Sequence, residues 1–326
     1  MIVPPAFEDL NQLANHIRTL GALTGKREIG LVSEVLGRDS WLNGPGDDGA
    51  VIPMPTSSAA QGHVIACGEA LLPELVATDP FGAGIAAVLA NVNDLAAMGA
   101  VPLAIVDTIV GTADHAREAL RGMQSASEMY QVPLVGGHLS RHDGPPALSA
   151  FGLGHATAVL STTHVAAGQS LIVAACTDGE MRGDFPFFPS FRHRRDKMAG
   201  DIRVLSAIAA SGACVAAKDV SMAGLVGSLA MLLEWSQLGV TIDLAQLPRP
   251  TDVPLQDWLT CFPAFAFLLC APAGREPDAI APFHERGLEA AVVGIIDDTG
   301  LVQIAEDGQS ATVLDLNLTP VTGLHR

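Results

Sequence analysis

Two short polar motifs in the first half of the chain contain the ligand types that hold a magnesium ion. Gly46-Asp47-Asp48-Gly49 is a glycine-rich turn with paired carboxylates, and Mg²⁺ prefers such oxygen ligands. The same four residues also form ordinary solvated turns. Asn91 and Asp94 lie three residues apart in an otherwise apolar segment, so a helix there places both on one face. Because Asn and Asp are unfavourable within helices, this pattern indicates a nearby ligand or cation. The alternative is that Asn93 and Asp94 satisfy nearby backbone groups.

Two predicted strands end in further polar residues. Glu69 closes one of them, and carboxylates at strand ends often line crevices. Gly136-Gly137-His138 follows another strand, where paired glycines permit a ligand to approach the backbone closely. His138 either orients a substrate or phosphate there or is a structural histidine.

The second half contains one anion-binding pattern and one basic segment. Asp219 and Ser221 lie between a predicted strand and a predicted apolar helix, and the amides at a helix N-terminus attract phosphate. A simple helix N-cap is the commoner meaning of this pattern. The segment Met181–Lys197 contains five of the 18 basic residues, among them Arg192 and Arg195. Such a cluster either clamps phosphoryl groups or forms a solvated loop.

Composition excludes several classes of function. The 326 residues include 35 carboxylates and 18 basic side chains, and the resulting charge of −17 argues against nucleic-acid binding. No apolar run approaches the ~20 residues of a membrane-spanning helix, and we expect no secretory signal in Met1–Leu10. The cysteines are scattered without a CxxC pair, which predicts reduced thiols and a cytoplasmic protein. The motifs of P-loop enzymes, zinc proteases and protein kinases do not occur.

Apolar periodicity predicts alternating helices and strands along both halves. In the first half, we expect helices over Phe7–Leu20, Arg27–Leu36, Phe81–Met98 and Ala113–Tyr130, and strands over Ala50–Met54, His63–Ala70, Val101–Val110, Val132–Gly136 and Ala147–Thr157. In the second half, we expect helices over Asp201–Ser211, Gly224–Leu238 and Pro277–Arg286, and strands over Ser170–Cys176, Cys214–Lys218, Val240–Leu244, Phe265–Cys270, Ala290–Ile296 and Leu301–Ile304. This alternation indicates α/β or α+β layers, with a boundary near residues 158–168.

The order and spacing of the polar motifs resemble those of the aminoimidazole ribonucleotide (AIR) synthetase superfamily. That group includes thiamine-monophosphate kinase, selenophosphate synthetase and formylglycinamidine ribonucleotide synthetase. The resemblance extends from Gly46 to Ile296 and is carried by four segments: Gly46-Asp47-Asp48-Gly49-Ala50-Val51, Val92-Asn93-Asp94-Leu95-Ala96-Ala97-Met98-Gly99-Ala100, Asp219-Val220-Ser221, and Val240 through Pro248. These segments are specific to the superfamily and common to its several activities.

The resemblance implies an α/β plus α+β fold of two domains, residues 1–160 with a mixed sheet and residues 161–326, with ATP between them. It also implies a homodimer formed through the N-terminal sheets. Family members hold Mg²⁺ with acidic residues at the positions of Asp47, Asp48, Asp94 and Asp219, and Glu69 stands where a strand-end Asp is usual. The further candidate contacts to nucleotide or substrate are Gly46, Asn91, Asp94, Gly136, Gly137, His138, Arg192, Arg195 and Ser221.

We therefore expect an Mg²⁺- and ATP-dependent phosphoryl-transfer enzyme that acts on a small molecule, with no nucleic-acid or membrane partner. A thiamine-monophosphate kinase and a nucleotide-binding accessory subunit without turnover are the alternatives. The family's kinases have Gly-Gly-Asp where this chain has Gly136-Gly137-His138, and a second Asp where it has Met222. These departures leave the acceptor substrate open.

Overall fold

The chain folds into two compact units, each built from separate stretches. The structure, a computed structural model, describes residues 9–36, 46–52, 62–183 and 185–324. The five-stranded unit comprises Asp48–Val159 and Arg195–Ala210. The seven-stranded unit comprises Met1–Asp47, Leu160–Arg194 and Ser211–Arg326. Both units combine a mixed sheet with helices, which confirms the predicted fold class.

The elements of the described residues are as follows. The α-helices are α1 (Leu10–Thr19), α2 (Gly21–Thr24), α3 (Gly30–Leu36), α4 (Pro73–Thr78), α5 (Pro80–Ala97), α6 (Ala113–Tyr130), α7 (Phe191–Arg194), α8 (Met198–Ile202), α9 (Val204–Ser211), α10 (Gly224–Glu234), α11 (Leu255–Thr260) and α12 (Glu276–His284). The strands are β1 (Ala50–Ile52), β2 (His63–Ala70), β3 (Val101–Gly111), β4 (Leu134–Arg141), β5 (Ala147–Ala156), β6 (Ser170–Ala175), β7 (Phe187–Phe188), β8 (Ala216–Asp219), β9 (Gly239–Asp243), β10 (Phe262–Pro263), β11 (Ala266–Ala271), β12 (Glu289–Asp297), β13 (Leu301–Glu306) and β14 (Gln309–Asp315).

The sheet of the five-stranded unit has the order β1-β2-β5-β3-β4. Strands β3 and β4 are parallel, and the other neighbours are antiparallel. Helix α5 packs on the face that contains Ile65 and Gly152. The opposite face exposes large apolar side chains, namely Ile52, Phe151 and Leu153.

Helix α5 is the central helix of this unit. The Asp79 side chain caps its first turn by accepting a hydrogen bond from the Gly82 amide at 2.9 Å, and Pro80 occupies its first position. Helices α5 and α6 pack closely where glycines replace larger residues: a Cβ on Gly84 or Gly122 would clash with the backbone of the other helix. This agrees with a core of small aliphatic side chains, since only 5% of the chain is aromatic.

The sheet of the seven-stranded unit has the order β14-β13-β9-β12-β6-β11-β8, and β7 and β10 form a separate two-stranded sheet. The N-terminal helices belong to this unit. Leu13 and Ile17 of α1 are buried in its core, and Arg18 donates from Nε to the Val313 carbonyl at 2.7 Å and from Nη2 to the Thr312 carbonyl at 2.7 Å. The predicted division at residue 160 instead grouped these helices with the first half of the chain.

Several elements differ from the sequence-based prediction. Strand β14 and helices α4 and α11 were not expected, and the segment Met181–Lys197 contains β7 and α7 rather than irregular loop alone. The predicted helix Asp201–Ser211 is divided into α8 and α9. Residues 7–8, 37–45 and 53–54, which belong to predicted elements or to the glycine-rich loop, lie outside the described residues. Of the helices that are described, none has the length and apolarity needed to cross a bilayer. All five cysteines are free thiols.

A buried glutamate anchors the segment after β14 in the seven-stranded unit. Glu234, at the end of α10, is only 2% exposed. Its carboxylate accepts hydrogen bonds from the backbone amides of Val321, Thr322 and Gly323, and from the Thr322 hydroxyl at 2.6 Å. Charged acceptors of several donors are strong, so this residue holds the segment in place.

We expect Glu234→Ala to lower the free energy of unfolding by about 3 kcal/mol, because it leaves several buried donors without an acceptor. Urea unfolding followed by circular dichroism measures the change. The matched control is Glu306→Ala, since Glu306 is exposed and its loss should cost less than about 0.5 kcal/mol. Equal effects of the two substitutions would contradict the anchoring role.

Candidate functional site

The acidic motifs place two carboxylates together in the five-stranded unit. Carboxylate oxygens of Asp48 and Asp94 lie within 4.8 Å of one another. Asp94 is 8% exposed near the end of α5, and Asp48 precedes β1. Two like charges at this distance repel one another, and a divalent cation that binds both removes the repulsion. The pair thus has the oxygen chemistry that suits Mg²⁺.

Asn91 fixes α5 against the sheet. Its side-chain Nδ2 donates to the Ala87 carbonyl at 2.8 Å and to the Ala150 carbonyl of β5 at 3.2 Å, and its Oδ1 accepts from the Cys67 thiol at 3.2 Å. All these partners are protein groups. Asn91 therefore positions the helix that carries Asp94, whereas the sequence suggested a direct contact with nucleotide.

The Cys67 thiol lies near three acidic side chains of this unit. Burial raises the pKa of its thiol, and the nearby charges of Asp94, Glu69 and Asp48 raise it further. Glu69 and Cys67 are two residues apart in β2, so both side chains lie on the sheet face that contacts α5. The thiol consequently stays protonated and is not a nucleophile.

Asp47 binds protein groups within the seven-stranded unit. Its carboxylate accepts from the Ser161 hydroxyl at 2.6 Å, from the Thr162 amide at 2.6 Å and from the Thr162 hydroxyl at 2.8 Å. These bonds fix the turn before Asp48. Gly46, the preceding residue, has φ +96°, a conformation that favours glycine. The two adjacent aspartates of the motif thus have different surroundings.

His138 lies on the other face of the sheet from Asn91 and Cys67. It pairs with Thr108 of β3, and its Nε2 lies 3.2 Å from the Ser140 hydroxyl on the same face. Gly136 also lies on this face of the sheet, whereas Gly137 lies on the sheet face that contacts α5. The structure therefore separates His138 from the acidic side chains with which the sequence grouped it.

Asp107 is a buried acid that lies outside the sequence motifs. It lies in the middle of β3, is 9% exposed, and burial raises the pKa of its carboxyl. Within the described part of the chain it has no hydrogen-bond or ion-pair partner. Its one sequence signal is a charged residue between the inward-facing Ile105 and Ile109 of an apolar strand.

The Asp219–Ser221 motif lies in the seven-stranded unit, where Asp219 ends β8 and is 4% exposed. The Ser221 amide donates to the Ser228 hydroxyl at 3.0 Å. Helix α10 begins at Gly224, which has φ +70°, and no side chain caps the helix at Ala223. The N-cap interpretation of Ser221 is thus not realised, and this helix end keeps the amide chemistry that suits an anion.

The basic segment is partly structural. Arg194 is 4% exposed and donates to the carbonyls of Arg286 at 2.9 Å and Gly287 at 3.2 Å in its own unit. Arg195, in the five-stranded unit, is exposed, and its Nη2 donates to the Ser125 carbonyl at 3.1 Å. Arg192 is exposed as well.

Fold and motifs together define the class of protein. Residues 46–156 match the AIR synthase related protein N-terminal domain, and residues 193–305 match the AIR synthase related protein C-terminal domain. The chain therefore belongs to the AIR synthase-related family, which confirms the resemblance found in the sequence.

Two relatives match long stretches of this chain. The chain is 32% identical over 281 residues to the uncharacterized protein sll0787 of Synechocystis sp., with 85% of this chain and 86% of that protein covered. It is 30% identical over 219 residues to a thiamine-monophosphate kinase of Rhodopirellula baltica, covering 63% of this chain and 65% of the kinase.

Among solved structures, T. maritima PurL complexed with ADP shares the fold, with a TM-score of 0.71 at 16% identity. The match covers 84% of this chain but only 46% of that one.

The isolated charge of Asp107 makes a testable contribution to stability. Because burial raises its pKa, the folded protein binds a proton at this carboxyl more tightly than the unfolded chain does. The contribution of the Asp107 carboxyl to folding stability is fully present below the pKa of the unfolded state. It is lost as the pH rises through the pKa of the folded state. We expect Asp107→Asn, which does not ionise, to gain stability relative to the wild type as the pH rises above about 4.

Urea midpoints at several pH values measure this difference. Asp114→Asn is the control, because the Asp114 side chain is 91% exposed. A difference between Asp107→Asn and the wild type that stays constant with pH would show that the carboxyl has an ordinary pKa.

Proposed function

We propose that this protein binds ATP with Mg²⁺ and transfers a phosphoryl group to a small molecule. The observation that carries the proposal is the close pair of carboxylates of Asp48 and Asp94 in a chain of the AIR synthase-related family. A magnesium ion supplies charge neutralisation for the triphosphate when bound. The ADP complex of T. maritima PurL supports a nucleotide as the ligand.

The residues of this chain have distinct proposed roles. Asp48 and Asp94 are the magnesium ligands, and Asn91 and Asp47 position them through their hydrogen bonds to protein groups. From the sequence motifs we add the following residues as proposed ligands of metal, nucleotide or substrate: Glu69, Asp219, Ser221, Gly46, Gly136, Gly137, His138, Arg192 and Arg195.

We expect Asp94→Asn to weaken magnesium-dependent ATP binding at least about tenfold. Loss of a group that hydrogen-bonds to a metal ligand already lowers metal affinity about tenfold or more, and loss of a coordinating oxygen should lower it at least as much. Isothermal titration calorimetry with ATP, in magnesium and in EDTA, measures the effect. Asp114→Asn is again the exposed control. Unchanged ATP binding by Asp94→Asn in magnesium would remove Asp94 from the site.

ADP release separates the candidate activities. The kinase relative in Rhodopirellula baltica favours thiamine monophosphate as the first acceptor to assay. ADP formation that depends on thiamine monophosphate would identify a thiamine-monophosphate kinase. Magnesium-dependent ATP binding without ADP release under any acceptor would favour an accessory subunit.

The exposed apolar sheet face supports a homodimer as part of the proposal. Phe151 and Leu153 of β5 are 45% and 39% exposed, and Ile52 of β1 is 44% exposed on the same face. Exposed large apolar side chains that share one sheet face favour an interaction site there.

We expect Leu153→Lys to convert a dimer to a monomer, because it places a charge at the centre of that face. Sedimentation velocity measures the assembly. Leu120→Lys is the matched control, since Leu120 is 40% exposed on helix α6, away from the sheet. A dimer that survives Leu153→Lys would exclude this face as the interface.

A further inference from the structure

The carboxylate of Asp107 is directed toward the edge strand β4. Asp107 pairs with Gly137, and a Cβ placed on Gly137 would lie 2.6 Å from the Asp107 Oδ2 atom and 2.8 Å from its Oδ1 atom. The carboxylate therefore occupies the space that a side chain at Gly137 would fill. Gly137 is exposed, so this space opens at the edge of the sheet.

No protein group compensates the charge there. Asp107 is more than nine-tenths buried, yet among the described residues nothing donates a hydrogen bond to it. The Asp107 oxygens are not among the fully enclosed polar atoms without a partner, so a ligand or water at the sheet edge can reach the carboxylate and donate to it. The burial and the missing donor are observations independent of the Asp48–Asp94 pair.

The neighbouring side chains determine which ligands fit. Asp107 pairs with Ala150, which in turn pairs with Glu69, so both acids lie on one face with a methyl group between them. Two inter-strand spacings separate Glu69 from Asp107, about 10 Å. This row repels anions and suits a group that donates hydrogen bonds, above all a cationic one.

We propose that the Asp107–Gly137 site binds an N–H donor group of the small-molecule substrate, of the amidinium, guanidinium or ammonium class. The inference rests on the proposed function, because that function makes the bound small molecule the phosphoryl acceptor. Asp107 accepts the hydrogen bond, and the exposed Gly137, which has no side chain, leaves the carboxylate accessible from the edge of the sheet. The acceptor and Mg²⁺–ATP then occupy separate places in the five-stranded unit.

Acetamidinium is the probe that tests the site, with acetate and acetamide as its anionic and neutral analogues. Amide resonances of Gly136 and Gly137 report binding in ¹H–¹⁵N spectra of the full chain. We expect these resonances to shift with acetamidinium and to remain unchanged with acetate. Asp107→Asn should weaken acetamidinium binding at least tenfold, and Asp114→Asn should leave it unchanged.

Gly137→Ala provides a second variant that keeps the carboxylate. Its added methyl group must displace Asp107, so acetamidinium binding should also be lost. Equal binding by the wild type and Asp107→Asn, or equal shifts with acetate, would overturn the inference.

Measurements with Mg²⁺–ATP distinguish this inference from the proposed function. Asp107→Asn should bind ATP in magnesium as the wild type does, and saturating Mg²⁺–ATP should leave acetamidinium affinity within threefold. Mutually exclusive binding would place Asp107 in the nucleotide site and overturn the inference. If the wild type binds acetamidinium but not Mg²⁺–ATP, the proposed function fails while the donor site stands.

Discussion

The attachment of helix α5 to its sheet is the constraint on which the candidate site depends. One amide side chain, Asn91, bonds to a carbonyl of the helix, to a carbonyl of β5 and to the thiol of Cys67. Because α5 is almost wholly apolar, burial alone does not select the face that it presents to the sheet, and the hydrogen bonds of Asn91 supply that selection. Asp94, one turn further on, is thereby held next to Asp48 at little conformational cost.

The candidate site of this unit brings several acidic side chains near one thiol. Asp48, Glu69 and Asp94 all raise the pKa of the Cys67 thiol, which shows that their charges reach one small region. Such a concentration of carboxylate oxygens suits a bound divalent cation. The charge of −17 for the whole chain has the same sign as this local field, so the protein itself attracts cations toward the region.

Much of this was predictable from residue patterns, and the exceptions have physical causes. Strong apolar periodicity and clear caps made α5 and α6 recognisable, and the family resemblance identified Asp48 and Asp94. The role of Asn91 was not predictable, because a polar residue facing the protein and one facing a ligand look alike in one sequence. Asp107 was missed because its importance arises from cross-strand pairing with Gly137, which only tertiary structure reveals. Strand β14 and the unit to which α1 belongs depend on contacts across nearly the whole chain.

The packing of α1 against β14 has a consequence for synthesis of the protein on the ribosome. Arg18 contacts Thr312 and Val313, at sequence separations of 294 and 295 residues. The apolar face of α1 is translated first but gains its partner strand only when almost all the chain has emerged. In the interval between synthesis of α1 and synthesis of β14, the residues of the five-stranded unit are translated and can form their own sheet. Nascent chains stalled before residue 309 should therefore keep α1 accessible to chaperones that bind apolar helices.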